Sequence, residues 1–199
     1  AIEHHAVLNT MEHLETLGFE VTYLPVDERG YVQLELIEKH LRADTILVSV
    51  MMANNETGVI QPIKKIVEKV KEINSNCLFH ADACQAGNWL TIDVKDLGVD
   101  LLSLDSSKIY GPKGVGALFI KTGTAIYPVI YGGTQEKNLR AGTHNIAGIV
   151  GFAEAFRITQ QRYKKDKTKI EKIKNYLLNQ LKVMPEVTIN SVADESLPH

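Results

Sequence analysis

The sequence lacks the features that mark several specialised classes of protein. Its two cysteines and seven histidines do not fall at metal-binding spacings such as CxxC or HxxxH. No apolar run approaches the roughly 20 residues that a membrane-spanning helix needs. The formal net charge of −2 predicts no general attraction to nucleic acid or to a membrane surface. We therefore expect no bound metal, and neither nucleic acid nor a membrane as a partner.

Two further patterns are missing. The glycines of 111–116 (GPKGVG) fit neither the phosphate-loop nor the dinucleotide-binding spacing. Cys77 and Cys84 are too few for a disulfide framework, and no signal-peptide pattern is present. We therefore expect reduced thiols that serve as buried packing residues, in a cytoplasmic protein.

The residues that are present predict an α/β fold. A hydrophobic content of 44% supports a substantial core. Apolar stripes at helical spacing lie in residues 3–17, which Gly18 would cap, in residues 34–41, and after Pro62. Apolar or alternating runs predict strands at 20–25, 45–52, 77–81, 101–104 and 187–190. This alternation of strands and helices is typical of an open, mostly parallel sheet flanked by helices.

The last quarter of the chain reads as one long helix or two. No glycine follows Gly151, and residues 145–183 begin apolar and become strongly basic. Asp166 and Glu171 interrupt the basic run, and an apolar face persists beside it. We interpret the basic residues as a solvated helix face rather than as a surface for an anionic partner.

Polar residues end three of the predicted strands. Asn55 follows one, Asp82 and Gln85 end the next, and Ser106, Ser107 and Lys108 end a third. In open parallel sheets, ligands bind outside the carboxyl ends of the strands. The sequence therefore predicts a binding site at this edge.

Lys108 is the residue around which the site is predicted. A free ammonium group is costly at the end of a core strand, but a Schiff base with an aldehyde cofactor consumes the charge. Neighbouring hydroxyls and glycines suit a phosphate, so the pattern suggests pyridoxal 5′-phosphate (PLP). A surface lysine in a simple strand–turn–strand is the alternative.

Each of the other candidates also has a structural interpretation. Asp82 is suited to keep a pyridine nitrogen protonated, or to cap a helix. Asn55 and Gln85 can donate to a ring oxygen or to a substrate carboxylate, although Asn55 is also a turn former. His4 or His5 can pack on a ring, and Thr143 offers a hydroxyl that alternatively caps the helix after it.

Five motifs occur in the order and spacing of one family. They are 3–7 (EHHAV), 52–58 (MANNETG), 80–85 (HADACQ), 107–114 (SKIYGPKG) and 140–143 (RAGT). With them the whole chain resembles the cysteine desulfurases, PLP enzymes that take sulfur from L-cysteine for iron–sulfur clusters and other thio-cofactors. The resemblance implies a fold type I, aminotransferase-like large domain over residues 1–145. Residues 146–199 would form a connecting helix and the start of a small domain.

The resemblance also implies roles for single residues. His4 would stack on the cofactor ring and transfer protons, and Lys108 would bind the cofactor covalently. Further cofactor contacts would come from Asn55 beside the ring oxygen, Asp82 at the pyridine nitrogen, Gln85 at the phenolate oxygen, Ser107 at the phosphate, and Thr143 at the phosphate of the partner subunit. The implied partners are L-cysteine, a second copy in a homodimer, and a sulfur-acceptor or scaffold protein.

The chain departs from the family in two respects. Asp105 stands where the family has a serine, and Ser107 where it has a histidine. Because a carboxylate repels a phosphate, we expect Asp105 to point elsewhere and Ser106 or Ser107 to replace it. The segments with the family's phosphate-binding Gly-Thr turn, its persulfide cysteine and its substrate-binding arginine are missing. We therefore expect an internal fragment that does not complete the reaction alone.

Two other functions remain compatible with the sequence. One is a sister PLP enzyme, either a selenocysteine lyase or an aminotransferase of the same branch. The other is a non-catalytic scaffold that binds a sulfur acceptor or a desulfurase subunit, and it predicts no PLP.

Overall fold

A four-stranded sheet organises the protein. The computed structural model describes residues 2–190 and 196–198. Its strands are β1 (Leu47–Met51), β2 (Leu78–Asp82), β3 (Leu101–Asp105) and β4 (Gly116–Ile120), in the order β1-β2-β3-β4. The first three strands are parallel, and β4 runs antiparallel to β3. The predicted strands at 45–52, 77–81 and 101–104 are confirmed, and so is the mostly parallel α/β architecture.

Five helices accompany the sheet: α1 (His5–Thr16), α2 (Leu34–His40), α3 (Ile63–Ile73), α4 (Val94–Leu97) and α5 (Ile146–Leu181). Pro62 occupies the N-cap of α3, where its missing N–H costs no helical hydrogen bond. The buried apolar stripe of α3 packs in one core with residues such as Phe79 and Leu102 of the sheet. None of the described helices has the length and the apolar character needed to cross a bilayer.

The segment at 20–25 corrects one prediction. It has no regular secondary structure and forms no strand. An apolar cavity of about 360 Å³ is lined both by this segment and by β1, as well as by Val7, Met11 and Leu14 of α1. A strand exists only when its backbone groups pair with a neighbour, and alternation of side chains does not supply one. The strand predicted at 187–190 is also wrong, because those residues have no regular structure.

α5 is one continuous helix of 36 residues. The Asn145 side chain caps it by accepting a hydrogen bond from the Gly148 amide at 3.1 Å. Glycine at position 151 allows close packing, since a Cβ atom there would lie 2.7 Å from Pro112 Cγ. The first turns of α5 therefore pack closely on the chain that follows β3. Farther along, ion pairs such as Arg162–Asp166 at 3.6 Å suit a solvated face.

A buried carboxylate joins the starts of the strands. Asp100 is only 4% exposed and accepts hydrogen bonds from Lys71 Nζ at 2.6 Å and from the Phe79 amide at 2.9 Å. Lys121 Nζ adds a third contact at 3.3 Å. Burial disfavours the charge, but these donors together hold the pKa of Asp100 below its ordinary value. The amino ends of β2 and β3 are thus fixed to each other and to α3.

Candidate active site

Asp82 lies where β2 ends. Its register partners are Met51 on β1 and Ser103 on β3, so it occupies the carboxyl edge of the parallel strands. The side chain is half-buried, and its Oδ1 accepts a hydrogen bond from the Cys84 amide at 2.9 Å. The residues that follow form turns rather than a helix. Asp82 therefore caps a turn, and the helix-cap interpretation is wrong.

Lys108 lies at the same edge, in a 3₁₀ turn (Ser107–Ile109) that directly follows β3. Its side chain is exposed, while Ile109 beside it is buried. The buried Asn88 donates a hydrogen bond from Nδ2 to the Lys108 carbonyl oxygen. Asn88 thus holds the Lys108 backbone in place, while the Lys108 side chain is exposed.

Asp105 organises the start of this turn. Its Oδ1 accepts hydrogen bonds from the Ser107 amide and the Ser107 hydroxyl, both at 2.6 Å, and from the Lys108 amide at 3.3 Å. Burial opposes ionisation of Asp105, but these donors hold its pKa below the ordinary value. The carboxylate thus points into its own turn and occupies the hydroxyl that was expected to bind phosphate.

Ser106 does not take that role. It is completely buried, and its Oγ has no hydrogen-bond partner among the described residues. The hydroxyl faces Gly111, where an added Cβ would clash with it. The expectation that Ser106 could replace the family's serine at a phosphate is therefore wrong, because the side chain points into the core.

The pKa of Cys84 responds to the charges of Asp82, Asp105 and Lys108. Burial is the main cause that raises the pKa of its thiol far above the usual range, and the charge of Asp82 adds to it. Asp105 acts in the same direction, and Lys108 opposes it. One thiol thus experiences the Asp82 carboxylate and the Lys108 amine together. Burial likewise raises the pKa of Cys77.

His4 and Asn55 reach the edge through loops. His4 is exposed and caps α1, with Nδ1 accepting the Ala6 amide at 3.1 Å, and its ring lies 6.3 Å from that of His5. Asn55 is exposed in the loop after β1. Gln85 is half-buried in the turns that follow Asp82. The structure therefore brings Asp82, Gln85 and Lys108 to one edge, with Asn55 and His4 on the adjoining loops.

Thr143 lies on a different segment from these residues. It is exposed on the segment before α5, and within the described residues it forms no hydrogen bond to Lys108 or Asp82. Asn145 rather than Thr143 caps α5, so the helix-cap interpretation of Thr143 is wrong.

Sequence reasoning missed four polar residues that support the site: Glu3, Asn54, His80 and Asn88. His80 illustrates the signal that was available, because a residue two before Asp82 shares its face of β2. Its ring nitrogens lie 2.8 Å from Ser49 Oγ on β1 and 2.8 Å from Ser103 Oγ on β3. Burial lowers the pKa of His80, which favours its neutral form. The ring connects β2 to both β1 and β3, two residues before Asp82.

Comparison with known proteins places this arrangement in a family. The family model for class-V aminotransferases matches residues 1–198, and the chain belongs to that family. Within it, the chain is 49% identical over 196 residues to the cysteine desulfurase IscS of Clostridium botulinum, which covers 98% of this chain and 49% of that protein. The IscS protein of Dictyoglomus turgidum is 45% identical over 199 residues, or 100% of this chain and 50% of its own length.

Solved structures agree with the sequence relatives. A NifS-like protein superposes with a TM-score of 0.96 at 43% identity, covering 99% of this chain and 54% of its own. SspA in complex with cysteine gives a TM-score of 0.75 at 42% identity over 78% of this chain and 45% of that one. The chain spans about half the length of the curated relatives it matches.

The residues at the edge fit the cofactor of this family, which is PLP-dependent. Lys108 presents a primary amine, Asp82 an anion, Asn55 and Gln85 amides, and His4 an exposed imidazole. These are the groups needed to bind an aldehyde, a pyridine nitrogen, a ring oxygen and a ring face. The phosphate end fits less well, because Asp105 occupies the Ser107 hydroxyl.

The cysteines provide a test of the site's electrostatics. Because the pKa of both thiols is raised, we predict that Cys77 and Cys84 of the native protein react slowly with a thiol reagent at pH 8, and at once in denaturant. Mass spectrometry of the labelled peptides would measure each residue separately. Rapid labelling of Cys84 in the native state would contradict the charge arrangement described here.

Proposed function

We propose that the full-length protein to which this chain belongs is a PLP-dependent cysteine desulfurase. It would release sulfur from L-cysteine as an enzyme persulfide, with alanine as the other product, for iron–sulfur cluster or other thio-cofactor assembly. The observation that carries the proposal is the position of Lys108 and Asp82 at the carboxyl edge of two adjacent parallel strands. The named relatives are cysteine desulfurases, so the sister enzymes and the non-catalytic scaffold are not favoured.

Lys108 and Asp82 would act on opposite ends of the ring. Lys108 Nζ would hold the cofactor covalently and, once the substrate amine displaces it, would accept or return the substrate's α-proton. Asp82 would keep the pyridine nitrogen protonated by accepting its N–H. Bound PLP supplies an electron-accepting ring adjacent to the substrate's α-carbon. Asn88, which binds the Lys108 carbonyl oxygen, would hold the backbone from which this amine extends.

The remaining residues would orient the ring and the substrate. His4 would stack on the ring and share the proton transfer, since its imidazole is exposed and can both donate and accept a proton. Asn55 would donate to the ring oxygen and the substrate, and Gln85 to the phenolate oxygen. Ser107 would contact the phosphate after its hydroxyl leaves Asp105.

Other parts of the proposed function involve a partner subunit, residues outside this chain, or a second protein. The exposed Thr143 would reach the phosphate held by the partner subunit of a homodimer. The cysteine that carries the persulfide would lie in a segment outside residues 1–199, because both cysteines of this chain have raised pKa values. Residues 1–145 would belong to the large domain and residues 146–199 to the connection with the small domain. The protein would work in the cytoplasm with a sulfur-acceptor or scaffold protein.

Lys108→Ala tests the proposal in the full-length protein. We expect it to remove the visible absorption band of the lysine-bound cofactor and to lower alanine formation from L-cysteine by about 10³-fold, since a proton-transfer group and the covalent anchor are both lost. Lys113→Ala, an exposed lysine five residues along the same segment, is the matched control and should keep both. A wild-type protein that shows no absorption band of the lysine-bound cofactor, once unbound PLP has been removed, would rule the proposal out.

Asp105→Asn tests the departure from the family. The asparagine oxygen can still accept the Ser107 amide, but the negative charge beside the phosphate is removed. We expect PLP to bind about threefold to tenfold more tightly at low salt, with the gain reduced at high salt. Equilibrium titration of the cofactor-free protein measures this, with Asp105→Glu as the charge-retaining control. Weaker PLP binding by Asp105→Asn would contradict the repulsion.

A further inference from the structure

Glu3 joins the start of the chain to the sheet. It directly precedes His4, and its Oε1 accepts a hydrogen bond from the Met51 amide at 2.6 Å, across 48 positions of sequence. Met51 is the last residue of β1 and the register partner of Asp82. The next amide, that of Met52, donates to the Asp82 carbonyl oxygen at 2.7 Å. The Glu3 carboxyl group thus lies at the junction between β1 and the strand that carries Asp82.

Asn54 forms a second connection beside the first. It is buried, with 6% of its surface exposed, and its Nδ2 donates to the Ile2 carbonyl oxygen at 2.8 Å. Its Oδ1 accepts the amides of Glu56 and Thr57, each at 2.8 Å. The same side chain therefore holds the residue before Glu3 and shapes the loop that presents Asn55.

We infer that Glu3 is a positioning residue that, with Asn54, sets where His4 and Asn55 stand relative to Asp82. The assignment of a task to His4 and Asn55 rests on the proposed function, but the network itself does not. Without the Glu3 carboxyl group, the Met51 amide loses its partner, and of the two connections only the Asn54 hydrogen bond to the Ile2 carbonyl oxygen remains. His4, which caps α1, would then be less closely held to the end of β1.

The environment of Glu3 gives the network a pH dependence. The pKa of Glu3 is raised to about 7, mainly by burial and also by the charge of Asp82, while the Met51 hydrogen bond acts against the rise. The second oxygen, Oε2, is buried with no partner among the described residues. Between the ordinary pKa and this value, the folded protein retains a proton that the unfolded chain has lost. Stability attributable to Glu3 therefore falls as the pH rises through that range.

Three variants of the full-length protein test the inference. Glu3→Gln keeps an acceptor for Met51 but cannot ionise, and Glu3→Ala removes the acceptor. Glu12→Gln, at an exposed position on α1, is the matched control. In the cofactor-free protein we expect hydrogen exchange of peptides containing the Met51 amide to accelerate at least tenfold in Glu3→Ala and to stay within about twofold in Glu3→Gln. Denaturation midpoints should fall less between pH 5 and pH 8 in Glu3→Gln than in the wild type or in Glu12→Gln.

Measurements on the PLP-bound enzyme distinguish a positioning role of Glu3 from a merely structural one. We expect Glu3→Ala to lower kcat at least tenfold while PLP content stays within about twofold, because Lys108 and Asp82 are untouched, and Glu3→Gln to restore most of kcat. Wild-type kcat in Glu3→Ala, or unchanged exchange at Met51, would overturn the inference. If the protein binds no PLP, the proposed function fails while the cofactor-free measurements still decide whether Glu3 fixes this junction.

Discussion

Parallel pairing of β2 with β3 is the constraint from which the site follows. Register places Asp82 beside Ser103, and β3 then continues for only two residues before the turn that carries Lys108. The carboxylate and the amine reach the same edge because both strands run in one direction. Buried contacts secure this geometry at both ends: Asp100 joins the strands where they begin, and Asn88 holds the Lys108 carbonyl where they finish. The sheet therefore determines where Asp82 and the turn that carries Lys108 lie.

Around this pair, hydrogen-bonded polar side chains connect the strands, the Lys108 turn and the start of the chain. His80 links three strands beneath Asp82, Asp105 shapes the Lys108 turn, and Glu3 with Asn54 attaches the His4 segment to β1. Asp105 stabilises the turn, and under the proposed function its negative charge would also oppose a phosphate bound there.

The sequence was sufficient to predict the core strands, the Pro62 start of α3, the Gly18 end of α1 and the polar edge, because each depends on local pattern or on the shared direction of parallel strands. The sequence was not sufficient to predict the structure of residues 20–25. Their alternation of side chains is typical of a strand, but no neighbouring strand pairs with them. The supporting residues were also missed. Glu3 and Met51 are 48 positions apart, and no periodicity reports a hydrogen bond over that distance. The orientation of Ser106 into the core likewise depends on its contact with Gly111, which spacing alone does not reveal.

A crystal structure of the full-length protein with PLP would show whether Lys108 and Asp82 hold the same ring. We expect electron density continuous from Lys108 Nζ to the cofactor, with an Asp82 carboxylate oxygen within hydrogen-bonding distance of the pyridine nitrogen. A cofactor bound through another lysine, or an Asp82 side chain turned away from the ring, would contradict it.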